Sequence, residues 1–168
     1  YVFNEGGSYL GLSGTTDAAG QALFNLPNGN YKMRVDYLGA RFWTDVFTVS
    51  ESSSLTFLIP EVPVNIAVST AAGPAAGVRV YLFNSAGAYL GLSGLTDANG
   101  HVSFNLPAGA SFKFRADILG NSYWSDVVSV VDGGTYLVPV EGGGGRFQVA
   151  VLKDASTPIT GISAYLFS

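Results

Sequence analysis

From Val62 to Val140 apolar residues fall at every second position between turn signals, the period of strands that bury one face. The pattern predicts seven strands: Asn65 to Ser69, Val78 to Asn84, Tyr89 to Ser93, His101 to Leu106, Phe112 to Ile118, Tyr123 to Val131 and Thr135 to Val140. Val102, Phe104 and Leu106 share one face of the fourth strand, opposite His101, Ser103 and Asn105. In the fifth, Phe112, Phe114, Ala116 and Ile118 alternate with Lys113, Arg115 and Asp117. Thr96-Asp97-Ala98-Asn99-Gly100 reads as a tight turn, where the Asp carboxylate bonds its own backbone and Gly takes positive φ. No stretch carries a helical period. The expected fold is all-β, a seven-stranded antiparallel β-sandwich of Ig-like or transthyretin-like character with Greek-key connections.

The same pattern is written more than once. Tyr1-Val2-Phe3-Asn4 onward returns as Tyr81-Leu82-Phe83-Asn84 onward with about 19 of 30 positions identical, and Tyr165-Leu166-Phe167 opens it a third time. Self-similarity at a period of roughly 80 residues marks a tandem array. The expected division is residues 1–60 as a repeat lacking its first strand, 61–140 as a complete repeat, and 141–168 as the first two strands of a third. Pro60-Glu61-Val62-Pro63 reads as a stiff connector, and Glu141 with Gly142 to Gly145 as a flexible one. Both ends fall inside a repeat, so the expectation is an array longer than this chain. Strand donation between chains fits less well, because the last repeat would supply a second copy of the Tyr-x-Phe strand along with the missing first one.

Composition narrows the function classes. Charged residues make up 12% of the chain, against a usual figure of about 25%, and 22 residues are glycine. The mean hydropathy is +0.31. A net charge of −4 with eight scattered Lys and Arg offers no footprint for nucleic acid or an anionic membrane. No apolar run approaches the about 18 residues of a membrane span. With no cysteine, disulfides and thiolate metal sites are excluded.

Candidate chemistry is sparse. Asp17 and Asp97 recur in their turns, where backbone capping accounts for them better than a cation does. His101, the one histidine, faces solvent and is matched by Gln21. Arg34 with Asp36, and Arg115 with Asp117, lie two residues apart on one strand face and read as exposed ion pairs. No nucleophile and base can be assembled from recurring positions, so the chain reads as a non-enzyme without a metal or other cofactor.

Gly77-Val78-Arg79-Val80, Gly91, Thr96 to Gly100, Phe104, Leu106-Pro107-Ala108-Gly109 and Phe112 together resemble the carboxypeptidase regulatory-like family, which is similar to the B-type repeats of bacterial surface adhesins. The resemblance implies small non-catalytic β-sandwich modules and covers nearly all of 61–140 and most of 1–60. It leaves activity open, because such modules occur in enzymes, receptors and stalks alike. Some adhesin repeats join a first-strand lysine to a last-strand asparagine. Here Lys153 stands near such a place, but Ser69 takes the corresponding position in the complete repeat and Lys113 faces solvent, so that cross-link is not expected.

The aromatics carry the remaining signal. Val80 and Leu82 take the inward parity, which places Tyr81 and Phe83 outward, with Tyr1 and Phe3, and Tyr165 and Phe167, in the same places. Trp43 and Trp124 also recur, in strands apolar on both faces, and a strand of that kind is covered by a loop or by another molecule. The expectation is an extracellular or cell-surface structural module whose aromatics meet neighbouring repeats or copies of the chain. The alternative is an accessory module that lays these rings against glycans.

Overall fold

The computed structural model describes residues 1–51, 53–141 and 148–165, and among them there are strands and turns and no helix. The strands in chain order are β1 (Val2–Asn4), β2 (Gly29–Tyr37), β3 (Ala40–Trp43), β4 (Phe47–Val49), β5 (Glu61–Thr70), β6 (Gly73–Pro74), β7 (Arg79–Asn84), β8 (Tyr89–Leu95), β9 (His101–Pro107), β10 (Ser111–Ile118), β11 (Asn121–Trp124), β12 (Val128–Ser129) and β13 (Thr135–Pro139). The protein is all-β, built from several largely antiparallel sheets.

Residues 61–140 fold as two facing sheets. One has β5 at its centre, with β9 and then the short β6 antiparallel along one side and β13 along the other. The other runs β11, β10, β7, β8, with β12 also on β10. Between them lie Val64, Ile66, Val68, Leu106 and Val138 from the first sheet and Val80, Leu82, Phe112, Phe114 and Ala116 from the second, all buried. Phe104 and Tyr136 stack on Phe114 across the gap, with ring centroids 6.1 and 6.4 Å apart. Each large apolar side chain in this layer contributes about 1.5–3 kcal/mol on burial. The alternation read from β9 and β10 selects these residues, with Phe112, Phe114 and Leu106 at 1%, 0% and 0% exposure.

Three features depart from the pattern. First, the opening strand begins at Glu61, so the stretch expected to be a connector is the start of β5, paired from Glu61↔Pro107 onward. Pro63 is tolerated because the Pro63 carbonyl accepts from Gly133 N–H on the β13 side, where the ladder begins only at Asn65↔Thr135. Second, β13 runs parallel to β5, so the sandwich is not wholly antiparallel. β9 is antiparallel to β5, and the turns into β10, β11–β12 and β13 each reverse the chain, which returns β13 to the direction of β5. Third, the sixth strand is two strands, β11 and β12, both on β10. Ser125 interrupts it: its buried hydroxyl accepts the Phe114 N–H at 2.9 Å and donates to the Asp126 carbonyl at 2.7 Å, standing in for a ladder partner.

Residues 1–60 form one sheet only, β2 with β1, β3 and β4 around it. Residues 21–27 and 54–58 match β9 and β13 in sequence yet are not strands. Both β9 and β13 take their ladder bonds from β5, and 1–60 contains no such strand. Between the two unpaired stretches runs a groove of about 1190 Å³, lined by Leu23, Phe24, Leu26, Met33, Leu55 and Phe57. Met33 and Val35, inward by parity, are only half-buried there, and Tyr37 is 39% exposed.

In residues 148–165 an isolated bridge joins Leu152 and Pro158, with Ile159 N–H donating to the Val151 carbonyl at 2.9 Å. Residues 61–140 make the same contacts between Ser69 and Pro74 and from Ala75 to Val68. Leu152 therefore stands where Ser69 does and Lys153 one place further on, which moves the lysine away from the position expected of it.

Candidate functional site

The outer face of the β11-β10-β7-β8 sheet gathers the recurrent aromatics into one cluster. Antiparallel registry puts Arg115 opposite both Tyr81 and Trp124, and Phe83 opposite both Lys113 and Tyr89. Side chains directly across a ladder touch. Phe83 lies 4.7 Å from Trp124 at 60° and 5.4 Å from Tyr89 at 51°, and Tyr81 meets Tyr89 edge-on at 5.8 Å. The Arg115 guanidinium lies over Tyr81 at 4.7 Å, Phe83 at 5.2 Å and Trp124 at 5.7 Å. Asp117 holds it at 2.9 Å.

The β1–β3 sheet repeats this arrangement with near-identical geometry. Phe3 lies 4.7 Å from Trp43 at 58° and 5.3 Å from Tyr9 at 50°, with Tyr1 6.0 Å from Tyr9. Arg34 sits over Tyr1 at 4.3 Å and Phe3 at 5.8 Å and is paired with Asp36 at 2.8 Å. This sheet forms without the opposing one, so the cluster depends on its own strand registry.

Phe3 and Phe83 are corrected. They point outward as parity requires, yet they are 8% and 7% exposed. Trp, Tyr and the arginine close over them, turning each phenylalanine into the floor of a small second core. The exposed part of the surface is Trp43 at 49%, Trp124 at 41%, Tyr9 at 48%, Tyr89 at 50% and Tyr1 at 42%, while Tyr81 is half-buried. Tyr165 is exposed and outside either cluster, and Phe167 lies outside the described residues. Tyr9, Tyr89 and the two arginines belong to the site and were missed. The identical spacing Tyr1 to Tyr9 and Tyr81 to Tyr89 was the available signal.

The ion pairs differ in one respect. Arg34 gives both Nε and a terminal nitrogen to Asp36, at 2.8 and 3.1 Å. Asp117 instead accepts the Ser122 hydroxyl on Oδ1 at 2.8 Å and Arg115 on Oδ2 only, which leaves the Arg115 Nε buried and unpaired. Arg41 occupies the place of Ser122 beside Asp36.

The other candidates resolve into structure. Asp97 Oδ1 accepts the N–H groups of Asn99 and His101, each at 2.9 Å, and Asp17 does the same with Ala19 and Gln21. The His101 N–H, with that of Asn99, holds the Asp97 carboxyl below the usual carboxylate range against a weak opposing desolvation. His101 is exposed on β9. Among the described residues no three His, Asp or Glu side chains gather as a metal site.

No family model matches this chain, and no curated protein matches it. Among solved structures, that of the Bacillus anthracis TIE protein is similar over 83% of this chain and 29% of its own length, at 21% identity and a TM-score of 0.33. This chain thus spans under a third of that protein.

Proposed function

We propose that the chain is a structural, non-enzymatic part of an extracellular fibre or surface stalk, made of tandem seven-stranded β-sandwich modules of the carboxypeptidase regulatory-like kind. Its modules or chains meet through apolar and aromatic surfaces. The observation that carries this reading is the cluster built twice, with Phe–Trp distances of 4.7 Å in both copies. Four aromatics and an arginine held in one arrangement on an outer face form a rigid, apolar surface of the type found at the centre of protein interfaces. The low charge adds little repulsion between such surfaces.

Electron microscopy of concentrated protein tests it. The expected result is filaments, lost when Tyr89→Ser and Trp124→Ser remove the exposed rings while the floor residue Phe83 stays in place. Isolated particles at every concentration would count against the reading.

A second reading is a glycan-binding accessory module. It is favoured by the Arg115–Asp117 pair beside Trp124, because planar polar groups next to a flat ring suit a sugar's hydroxyls and its apolar face. Titration of a glycan panel against Trp124 fluorescence distinguishes the two: saturable quenching supports the glycan reading, and an unchanged signal supports the structural one.

A further inference from the structure

The two hairpins that carry the tryptophans turn on Leu38-Gly39 and Leu119-Gly120, and the turns have the same backbone. Leu38 and Leu119 have φ of 47° and 48°, and Gly39 and Gly120 have φ of 75° and 77°. A two-residue turn of this kind favours Asn or Asp before the Gly, because a leucine in the left-handed region is strained. Strain kept at a matched position points to a use for the side chain.

The first turn shows that use. Leu38 packs against the core of residues 61–140, at the end of the sandwich where Leu90 also lies. A Cβ on Gly39 would lie 3.3 Å from Cβ of Asn84 and 3.8 Å from Cδ2 of Leu90. Burial and a bond to Glu61 raise the pKa of the neighbouring Tyr37 hydroxyl. A leucine knob from one segment thus seats on the Asn84–Leu90 hairpin of the next.

Both halves of this contact recur unengaged. Leu119 is 80% exposed, and nothing lies within 4 Å of a Cβ on Gly120. The matching hairpin at Asn4–Leu10 is built as Asn84–Leu90 is: Asn4 Oδ1 accepts the Ser8 N–H at 2.8 Å, as Asn84 accepts Ala88 at 2.8 Å, and Leu10 is 42% exposed where Leu90 is half-buried. We propose that the Leu119-Gly120 turn docks on the Asn4–Leu10 hairpin of a second copy of this chain, repeating between copies the contact that Leu38-Gly39 makes within one. The contact is head-to-tail and does not close on itself, so it extends into a filament. It rests on the reading of the chain as an assembling module and names one surface by which it assembles. One leucine knob is a small interface, and the internal junction gains from its tether while the contact between copies does not.

Disulfide trapping in the cysteine-free chain tests it. Gly120→Cys and Asn4→Cys variants, mixed at high concentration and mildly oxidised, are expected to form mixed dimers at least about tenfold in excess of a Gly133→Cys and Asn4→Cys control, because the Cβ separation at the internal junction is near that of a disulfide. The Gly39→Cys, Asn84→Cys double variant, closing within one chain, is the positive control. Adding Leu119→Asn, which relieves the turn and keeps the fold, should return the yield to the control level. Trapping no better than control, or unaffected by Leu119→Asn, overturns the proposal. If native filaments persist in that case, only this contact is wrong; if there are none, the assembly reading falls with it.

Discussion

Arg115 is where residue-scale expectations and geometry part most clearly. An exposed ion pair contributes about 0–1 kcal/mol, and the Arg115–Asp117 pair alone would be worth no more. The guanidinium also lies over three rings, with its Nε buried, and a partly desolvated cation over aromatic faces is worth about 0.5–2 kcal/mol. Arg115→Ala is therefore expected to destabilise residues 61–140 by about 1–2 kcal/mol in urea melts, more than Asp117→Asn does. A cost for Asp117→Asn equal to or above that of Arg115→Ala would show the pair to dominate.

Asp97 gives a pH dependence of definite sign. Its folded pKa lies below its unfolded one, chiefly through the His101 N–H. The contribution to stability is therefore in place above about pH 4 and lost as pH falls through the folded pKa. Asp97→Asn keeps an acceptor but has no charge to lose. Thermal melts from about pH 6 to pH 2 should show the variant losing less stability on acidification than the native chain, and parallel curves would refute the assignment.

At the scale of elements, single side chains decide where strands stop. Ser125 breaks the predicted sixth strand by accepting the Phe114 N–H. Ser125→Ala leaves that buried donor unpaired, at a cost of about 1–3 kcal/mol, whereas Ser125→Thr keeps the acceptor, as Thr44 does for Met33 at 2.9 Å. Equal melting points for the Ala and Thr variants would contradict this. Gly100 has a comparable role in the β8–β9 turn. At φ 75°, with the Val68 carbonyl oxygen 2.7 Å from any Cβ, it has no room for a side chain. Gly100→Ala should cost more than about 1 kcal/mol by the same melts, and a neutral change would mean that the strand pair relaxes freely.

At the scale of the whole molecule, the lack of one strand reorganises a segment. Residues 61–140 hold a core covered on both sides, and 1–60 keep one sheet beside an open groove. Residues 61–140 expressed alone should fold with a cooperative transition, and residues 1–60 alone should not. In the intact chain, amide exchange should be slow through β5, β9 and β10 and near the unstructured rate at residues 21–27 and 54–58. Protection at those residues matching that of β9 would refute the dependence on β5.

Strand alternation is local chemistry, and so the chain by itself determined the all-β class, the buried set on β7, β9 and β10, the Asp-capped turns and the outward parity of Tyr81 and Phe83. Period-2 burial follows from the pleat whatever the strand pairs with. What lies across a ladder is not local. The parallel course of β13, the Ser125 break, the union of Tyr89, Arg115 and Trp124 over Phe83, and the seating of Leu38 against Asn84 and Leu90 depend on residues far apart in the chain. Only the tertiary structure decided them, because registry between distant strands selects which outward side chains become neighbours.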